Sequence, residues 1–192
     1  MRAQKVGTLE GRIAEAKNES CPLPRHTLLL ELTALFAMFW AIARACVQAI
    51  TLDEADSYLG FAQPSWPSYW YPSANNHVLN SMLMRLFTSV FGLSHITVRA
   101  PALIGAALYI AAAYCFCKLI ARDLTLQWPL FVCLVYNPFI FDFLVAARGY
   151  SLAMAFLMGA IGIPAYFILE NMNGGMKSMN AACALKIGRA HV

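Results

Sequence analysis

The chain has 192 residues, of which 60% are hydrophobic and only 12% are charged, and its net charge is +4. An ordinary soluble domain carries roughly 25% charged residues, so this composition excludes most soluble globular classes. The small positive charge does not indicate a nucleic-acid partner, because the basic residues lie mostly near the ends of apolar stretches, where they orient a membrane protein.

Four apolar stretches approach the length of about 20 residues that a helix needs to cross a bilayer. They run from about Thr27 to Ile50, Ile96 to Ile120, Leu124 to Val145 and Tyr150 to Leu169. We therefore predict an all-α fold, a polytopic bundle of transmembrane helices, with a long loop over 51–95 that carries short interfacial helices.

The distribution of basic residues predicts the orientation of the four spans. Residues 1–26 form a polar leader with five basic residues, and Lys118 and Arg122 lie between the second and third spans. By the positive-inside rule, we expect these segments, including the N-terminus, to be cytoplasmic. Arg85 is the only lysine or arginine in loop 51–95. The loop and the turn near Asp142 should therefore face the side opposite the cytoplasm.

Two local signals bear on the later spans, and a third on the chain end. Asn137-Pro138 interrupts the third span and predicts a kink, since proline cannot donate a backbone hydrogen bond. The stretch from Asn171 to Gly175 is typical of a turn that stops the fourth helix. Residues 186–192 resemble the translation of a sequencing-library adaptor, so residues 1–185 are expected to be the native N-terminal piece of a longer protein, with 27–185 as the first part of its transmembrane domain.

An acidic cluster, Asp53, Glu54 and Asp56, directly follows the first span. Carboxylates beside a membrane must be solvated, paired with a cation, or used in binding or catalysis. On a helix, Asp53 and Asp56 would share a face, which suits one catalytic base and one helper or metal ligand. The alternative is an acidic N-terminus of a surface helix, where such residues are favoured.

Two further segments of the loop have patterns that indicate a contact with the membrane or with a substrate. The aromatic and proline-rich stretch 63–72 forms either an interfacial aromatic belt or a surface that stacks on sugar rings. From His77 to Phe91, apolar and polar residues alternate at helical spacing, which predicts an amphipathic helix lying on the membrane. His77, at the start of that helix, is either a cap or solvated side chain, or a group that meets Asp53 over a substrate.

Polar residues also lie near the second external turn. Arg148 carries a planar fork of donors that matches phosphate, while its pairing with Asp142 across the turn is the structural alternative. Arg99, at the start of the second span, could be an anchor that extends toward the interface rather than a binding residue.

The order of these pieces resembles the start of a GT-C polytopic glycosyltransferase, close to the bacterial relatives of protein O-mannosyltransferases and lipid A aminoarabinose transferases. The matching stretches are Leu52–Tyr58, Asn76–Phe91, Val98–Ala107 and Asn137–Leu152. This sequence has Val78 after His77, where relatives often have proline.

The resemblance implies a polyprenyl-phosphate sugar as donor, a glycan, lipid or protein hydroxyl as acceptor, and a location in a bacterial inner membrane with the active-site loop outside. It implies that Asp53 is the catalytic base and that Glu54 is the adjacent acidic residue of the catalytic pair. Substrate-binding roles would fall to Tyr58, His77, Asp142 and Arg148. The resemblance implies no definite cofactor, and a divalent metal held by Asp53 and His77 is compatible with it. A transporter fragment and a non-catalytic binding or assembly subunit remain the alternatives.

Overall fold

The structure, a computed structural model, describes residues 25–63, 73, 76–121 and 123–189. Over these ranges the chain forms helices and no strand. The elements are α1 (Arg25–Val47), α2 (Leu52–Ser57), a short π-helix (Tyr58–Ala62), α3 (Val78–Phe91), α4 (His95–Ile120), α5 (Leu124–Val135), α6 (Pro138–Val145) and α7 (Tyr150–Arg189). The predicted all-α class is confirmed for this part of the chain. The leader, the aromatic stretch after Gln63 and residues 190–192 lie outside the described residues.

Three of these helices are long and apolar enough to cross a membrane: Leu28–Val47 in α1, all of α4, and Tyr150–Asn171 in α7. The pair α5 and α6 passes the same test as one broken span bent by 58°. Counted in this way, the structure contains up to four candidate spans, close to the four predicted stretches. The length and composition of these helices indicate an integral membrane protein.

The break between α5 and α6 lies at the predicted dipeptide. Asn137 is the N-cap of α6, and its side-chain oxygen accepts a hydrogen bond from the backbone N–H of Phe139 at 3.1 Å. Pro138 occupies the first position of the helix, where its missing N–H costs nothing. The kink therefore combines a helix end with a properly capped helix start.

The predicted stop over 171–175 is wrong, because α7 continues as a helix to Arg189. Glycine inside a helix costs only about 1 kcal/mol relative to alanine. Methionine, lysine and alanine, all good helix formers, dominate the sequence that follows. Two adjacent glycines are therefore a weaker stop signal than the prediction assumed.

Helix α4 is the centre of the bundle and contacts α1, α3, α5, α6 and α7. Its buried face is rich in small residues, among them Ala102, Gly105 and Ala106. A Cβ atom added at Gly105 would lie 2.6 Å from the Leu152 backbone nitrogen and from Ser151 Oγ. Glycine is therefore required where α4 and α7 approach most closely, as in other membrane helix pairs with small residues at the contact.

Helix α3 is amphipathic as predicted, and its polar side is the one that packs against the protein. Asn80, Ser81 and Met84 are buried. The apolar side chains Leu79, Met82, Leu86, Val90 and Phe91 are all exposed. An apolar face turned outward is what a helix at the bilayer surface requires.

Candidate functional site

A buried ion pair joins the acidic cluster to the start of α4. Arg99 donates from Nε to Glu54 Oε1 at 2.9 Å and from Nη2 to Glu54 Oε2 at 2.7 Å. Both side chains are only 1% exposed. Such a bidentate fork matches the geometry of a carboxylate. The expectation that Arg99 extends toward the interface as an anchor is therefore wrong, because its charge is neutralised inside the protein.

Glu54 receives three further hydrogen bonds. The Thr51 N–H and hydroxyl donate to Oε2 at 2.8 and 3.1 Å, and the Ala147 N–H donates to Oε1 at 2.9 Å. Burial by itself would raise the pKa of Glu54, but Arg99 and the two backbone donors outweigh it, and the pKa lies below its ordinary value. Glu54 is therefore a fully bonded carboxylate at the centre of this end of the bundle.

Thr51 and Glu54 also form a capping box at the start of α2. The Thr51 side chain accepts from the Glu54 N–H, while the Glu54 side chain accepts from the Thr51 N–H. The interpretation of the acidic cluster as a helix N-terminus therefore holds for Glu54. The predicted catalytic role of Glu54 stays a prediction, and its burial favours a supporting role.

Arg99 also donates hydrogen bonds to backbone carbonyls at the end of α1. Nη1 donates to the carbonyls of Ala45 and Gln48 at 3.1 and 2.7 Å, and Nη2 donates to the Ala49 carbonyl at 2.9 Å. The last carbonyls of a helix have no partner within the helix. One guanidinium therefore satisfies these carbonyls and the Glu54 carboxylate together, and it fixes α1, α2 and α4 relative to one another.

Asp53 forms an ion pair with Arg148. Arg148 Nη1 donates to Asp53 Oδ2 at 2.7 Å, although the two residues are 95 positions apart in the sequence. The Asp53 side chain is 55% exposed and that of Arg148 is 21% exposed. The predicted base and the predicted phosphate ligand thus meet at one solvent-accessible point. This contact, with the Glu54 bond to Ala147, places the 51–95 loop and the turn before α7 at the same end of the bundle.

Asp142 does not pair with Arg148, so that structural alternative is wrong. Asp142 instead accepts from Arg44 Nη1 at 2.7 Å, and its side chain is 65% exposed. Arg44 lies in the last turn of α1 and also donates to Gln48 at 3.3 Å. Asp142 thus lies at the same end of the bundle as Asp53 but is held by a different arginine. Its substrate-binding role stays a prediction.

His77 lies against the turn that carries Arg148. Gly149 has φ +77°, and a Cβ added there would lie 2.8 Å from His77 Cβ and 3.0 Å from Asn80 Cβ. The His77 ring contacts Tyr150 edge-on, with centroids 5.0 Å apart. Burial and the charge of Arg148 both lower the pKa of His77, which favours a neutral imidazole.

Several polar groups around this turn complete the wall of the site. Asn80 Nδ2 donates to the Ala147 carbonyl at 3.2 Å. Arg148 lies over the Tyr150 ring, with 5.4 Å from its guanidinium carbon to the ring centroid, which suits a cation–π contact. Among the described residues, His77 Nε2 and Asn80 Oδ1 are buried without a hydrogen-bond partner. Buried polar atoms are rarely left unsatisfied, so these two are open to a ligand or water.

Tyr58 borders a cavity of about 360 Å³ beside this cluster. The cavity lies between α2 with the π-helix on one side and the start of α4 on the other, and Glu54, Ser94 and Val98 also line it. Its lining is mostly apolar, and Glu54 and Ser94 are among its polar residues. Tyr58 therefore lies at a cavity, and its substrate-binding role stays a prediction.

The metal hypothesis gains no support from the described residues. They contain no group of three or more histidine, cysteine, aspartate or glutamate side chains placed to hold a metal ion. Asp53 is occupied by Arg148 instead. A metal on Asp53 and His77 would need ligands from a substrate or from elsewhere in the protein.

No family model, no curated protein and no solved structure matches this chain.

The sequence reasoning missed the partners of the charged residues. It treated Glu54 as catalytic and Arg99 as an anchor, and it assigned no partner to Arg44. A signal was present: three acids, Asp53, Glu54 and Asp142, and three arginines, Arg44, Arg99 and Arg148, all lie at predicted ends of spans on the same side. Charges near lipid are expected to pair, so acids and arginines gathered at one end of the bundle indicate such pairs.

Proposed function

We propose that this chain is the N-terminal part of a GT-C-type membrane glycosyltransferase that transfers a sugar from a polyprenyl-phosphate donor to a hydroxyl acceptor. The observation that supports the proposal best is the 2.7 Å contact between Asp53 and Arg148. It joins a group that can take a proton to a group that can bind phosphate, at a solvent-accessible position. The membrane fold agrees with a donor that carries a lipid tail.

Asp53 would act as the general base. A hydroxyl is a poor nucleophile, and a carboxylate within hydrogen-bond distance can take its proton as the oxygen bonds to the anomeric carbon. The bond between that carbon and the phosphate oxygen breaks in the same step, so polyprenyl phosphate leaves with the bonding electron pair. Attack from the face opposite the phosphate would invert the configuration at the sugar carbon.

Arg148 would bind the donor phosphate. Its guanidinium is a planar fork of N–H donors that matches phosphate, and the contact with Asp53 places that fork beside the base. Such a preorganised cation stabilises the charge that develops on the leaving phosphate. No general acid is needed, because a phosphate with matched charge is already a good leaving group.

Glu54 and Arg99 would be positioning residues. Glu54 binds the Ala147 N–H, one residue before Arg148, and Arg99 ties Glu54 to α1 and α4. The capping box of α2 holds Asp53 on the neighbouring position of the same helix. The buried ion pair thereby sets the distance between Asp53 and Arg148. A preorganised site of this kind loses activity when its supporting residues shift.

The test compares Asp53→Asn with Asp123→Asn, which makes the same change at an exposed aspartate before α5, at the other end of the bundle. Each variant is expressed as the complete gene product, its membrane level is measured, and release of polyprenyl phosphate from a lipid-linked sugar is followed. General base catalysis contributes about 10²- to 10⁴-fold, so Asp53→Asn should lose turnover by at least about 100-fold while Asp123→Asn keeps it. Equal turnover in the two variants would exclude Asp53 as the base.

A binding measurement separates an enzyme from a scaffold. The wild-type protein should bind polyprenyl phosphate, and Arg148→Gln should weaken that binding by roughly tenfold, as expected for loss of one charged hydrogen bond. A scaffold or assembly subunit would bind neither lipid nor sugar at this point. Wild-type protein that bound no polyprenyl phosphate would contradict the proposal.

A further inference from the structure

A groove opens between α4 and α7 at the end of the bundle away from Asp53. Its volume is about 720 Å³, and its lining is almost entirely apolar. Ala112, Phe116 and Leu119 line it from α4, while Gly159, Gly162 and Tyr166 line it from α7. At a rise of about 1.5 Å per residue, the α4 side of the groove is about 10 Å long.

The separation of the two helices explains the groove. They touch at Gly105, where an added Cβ would lie 2.6 Å from Ser151 and Leu152 atoms. Farther along α7, a Cβ added at Gly159 or Gly162 would have no neighbour within 4 Å. The helices therefore diverge from a tight contact, and the two glycines widen the space between them.

A lysine lies at one end of the groove. Lys118 Nζ is 3.4 Å from the Tyr114 hydroxyl and 5.1 Å from the centroid of the Tyr114 ring. Within the described ranges, Lys118 makes no ion pair with a carboxylate. The acid in this network is Glu31, which accepts from the same Tyr114 hydroxyl at 3.3 Å. The Tyr114 hydroxyl therefore holds the Lys118 side chain at the end of the groove.

We propose that this groove binds an anionic phospholipid, with the lipid phosphate on Lys118 and an acyl chain between α4 and α7. The charge of Lys118 complements a phosphate, and its position in the last turn of a candidate span places it at headgroup depth. The apolar lining and the open glycines suit a flexible hydrocarbon chain. A second helix in the groove would instead bury the ammonium group without a counter-charge, which is costly.

Native mass spectrometry of the purified chain tests the proposal. The protein in detergent is titrated with phosphatidylglycerol or with phosphatidylcholine of identical acyl chains. Wild-type protein should prefer phosphatidylglycerol, and Lys118→Gln should weaken phosphatidylglycerol binding by about fivefold, the effect of one basic residue near a lipid surface. Phosphatidylcholine binding should change little in the same variant.

A second variant tests the groove itself. Gly159→Leu places a side chain in the open space and should reduce phosphatidylglycerol binding, while Ala153→Leu makes a comparable change at an exposed position of α7 outside the groove and should not. Equal binding of the two lipids by wild type would show an unspecific annular lipid only and overturn the proposal. A dimer that Gly159→Leu converts to a monomer would also overturn it, because the occupant would then be a second copy of the chain.

Discussion

Removal of Arg99 is the sharpest test of how the site is held together. Arg99→Met deletes two hydrogen bonds to Glu54, at 2.9 and 2.7 Å, and three to carbonyls at the end of α1. Breaking a buried pair by removing one partner costs about 3–5 kcal/mol, since the remaining charge is left buried. Thr51 and Ala147 still donate to Glu54 in the variant, so we expect the lower end, about 3 kcal/mol.

The assay is thermal unfolding in detergent. For a chain of this size, 1 kcal/mol shifts the midpoint by about 2–4 °C, so Arg99→Met should lower it by about 6–12 °C. Arg44→Met is the matched control, because it removes an arginine from an exposed pair with Asp142 at the same 2.7 Å distance. Exposed pairs contribute at most about 1 kcal/mol, so the control should shift the midpoint by no more than about 4 °C.

The double variant Glu54→Met/Arg99→Met removes both charges and should recover part of the loss, since no buried charge remains without its partner. If Arg99→Met and Arg44→Met lowered the midpoint equally, the reasoning from burial would be refuted.

Two other predictions concern the turn that carries Arg148. Gly149→Ala should destabilise the protein more than Gly92→Ala. Both glycines have a positive φ, where alanine costs about 1–2 kcal/mol. Only at Gly149 would the added Cβ also meet other side chains, at 2.8 Å from His77 Cβ. Similar unfolding midpoints for the two variants would argue against this close contact. The pKa of His77 is lowered in the folded protein, so the unfolded chain takes up the proton first, and stability should fall as the pH drops below about 6.5. His77→Gln should flatten that fall in a series of midpoints between about pH 7.5 and 5.5, above the ordinary pKa range of glutamate; an unchanged slope would count against it.

The spans and the kink could be predicted from the sequence, because both depend on local properties. Hydrophobic length identifies a membrane helix without knowledge of its neighbours, and Asn137-Pro138 breaks a helix through its own backbone chemistry. The amphipathic pattern of α3 likewise follows from its spacing. The extent of α7 was underestimated because glycine and asparagine were given more weight than the helix formers around them.

The partners of the charged residues could not be predicted in the same way. Arg148 lies near Asp142 in the sequence, yet its partner is Asp53, 95 residues away. Asp142 is held by Arg44, which lies 98 residues away. Which acid pairs with which arginine depends on how the helices pack. The residue pattern of one helix contains no information about the neighbouring helix that it contacts. The capping box of Thr51 and Glu54 was visible locally, but the burial of Glu54 by Arg99 was not.

Cysteine labelling of intact cells tests most directly whether the Asp53–Arg148 site faces the side on which a lipid-linked sugar is used. Asp56→Cys reports on an exposed position three residues after Asp53, and Asp123→Cys reports on the opposite end of the bundle, both in a variant without the native cysteines. A membrane-impermeant maleimide should label Asp56→Cys in intact cells and Asp123→Cys only after permeabilisation. The reverse pattern would place Asp53 in the cytoplasm and contradict the proposed enzyme.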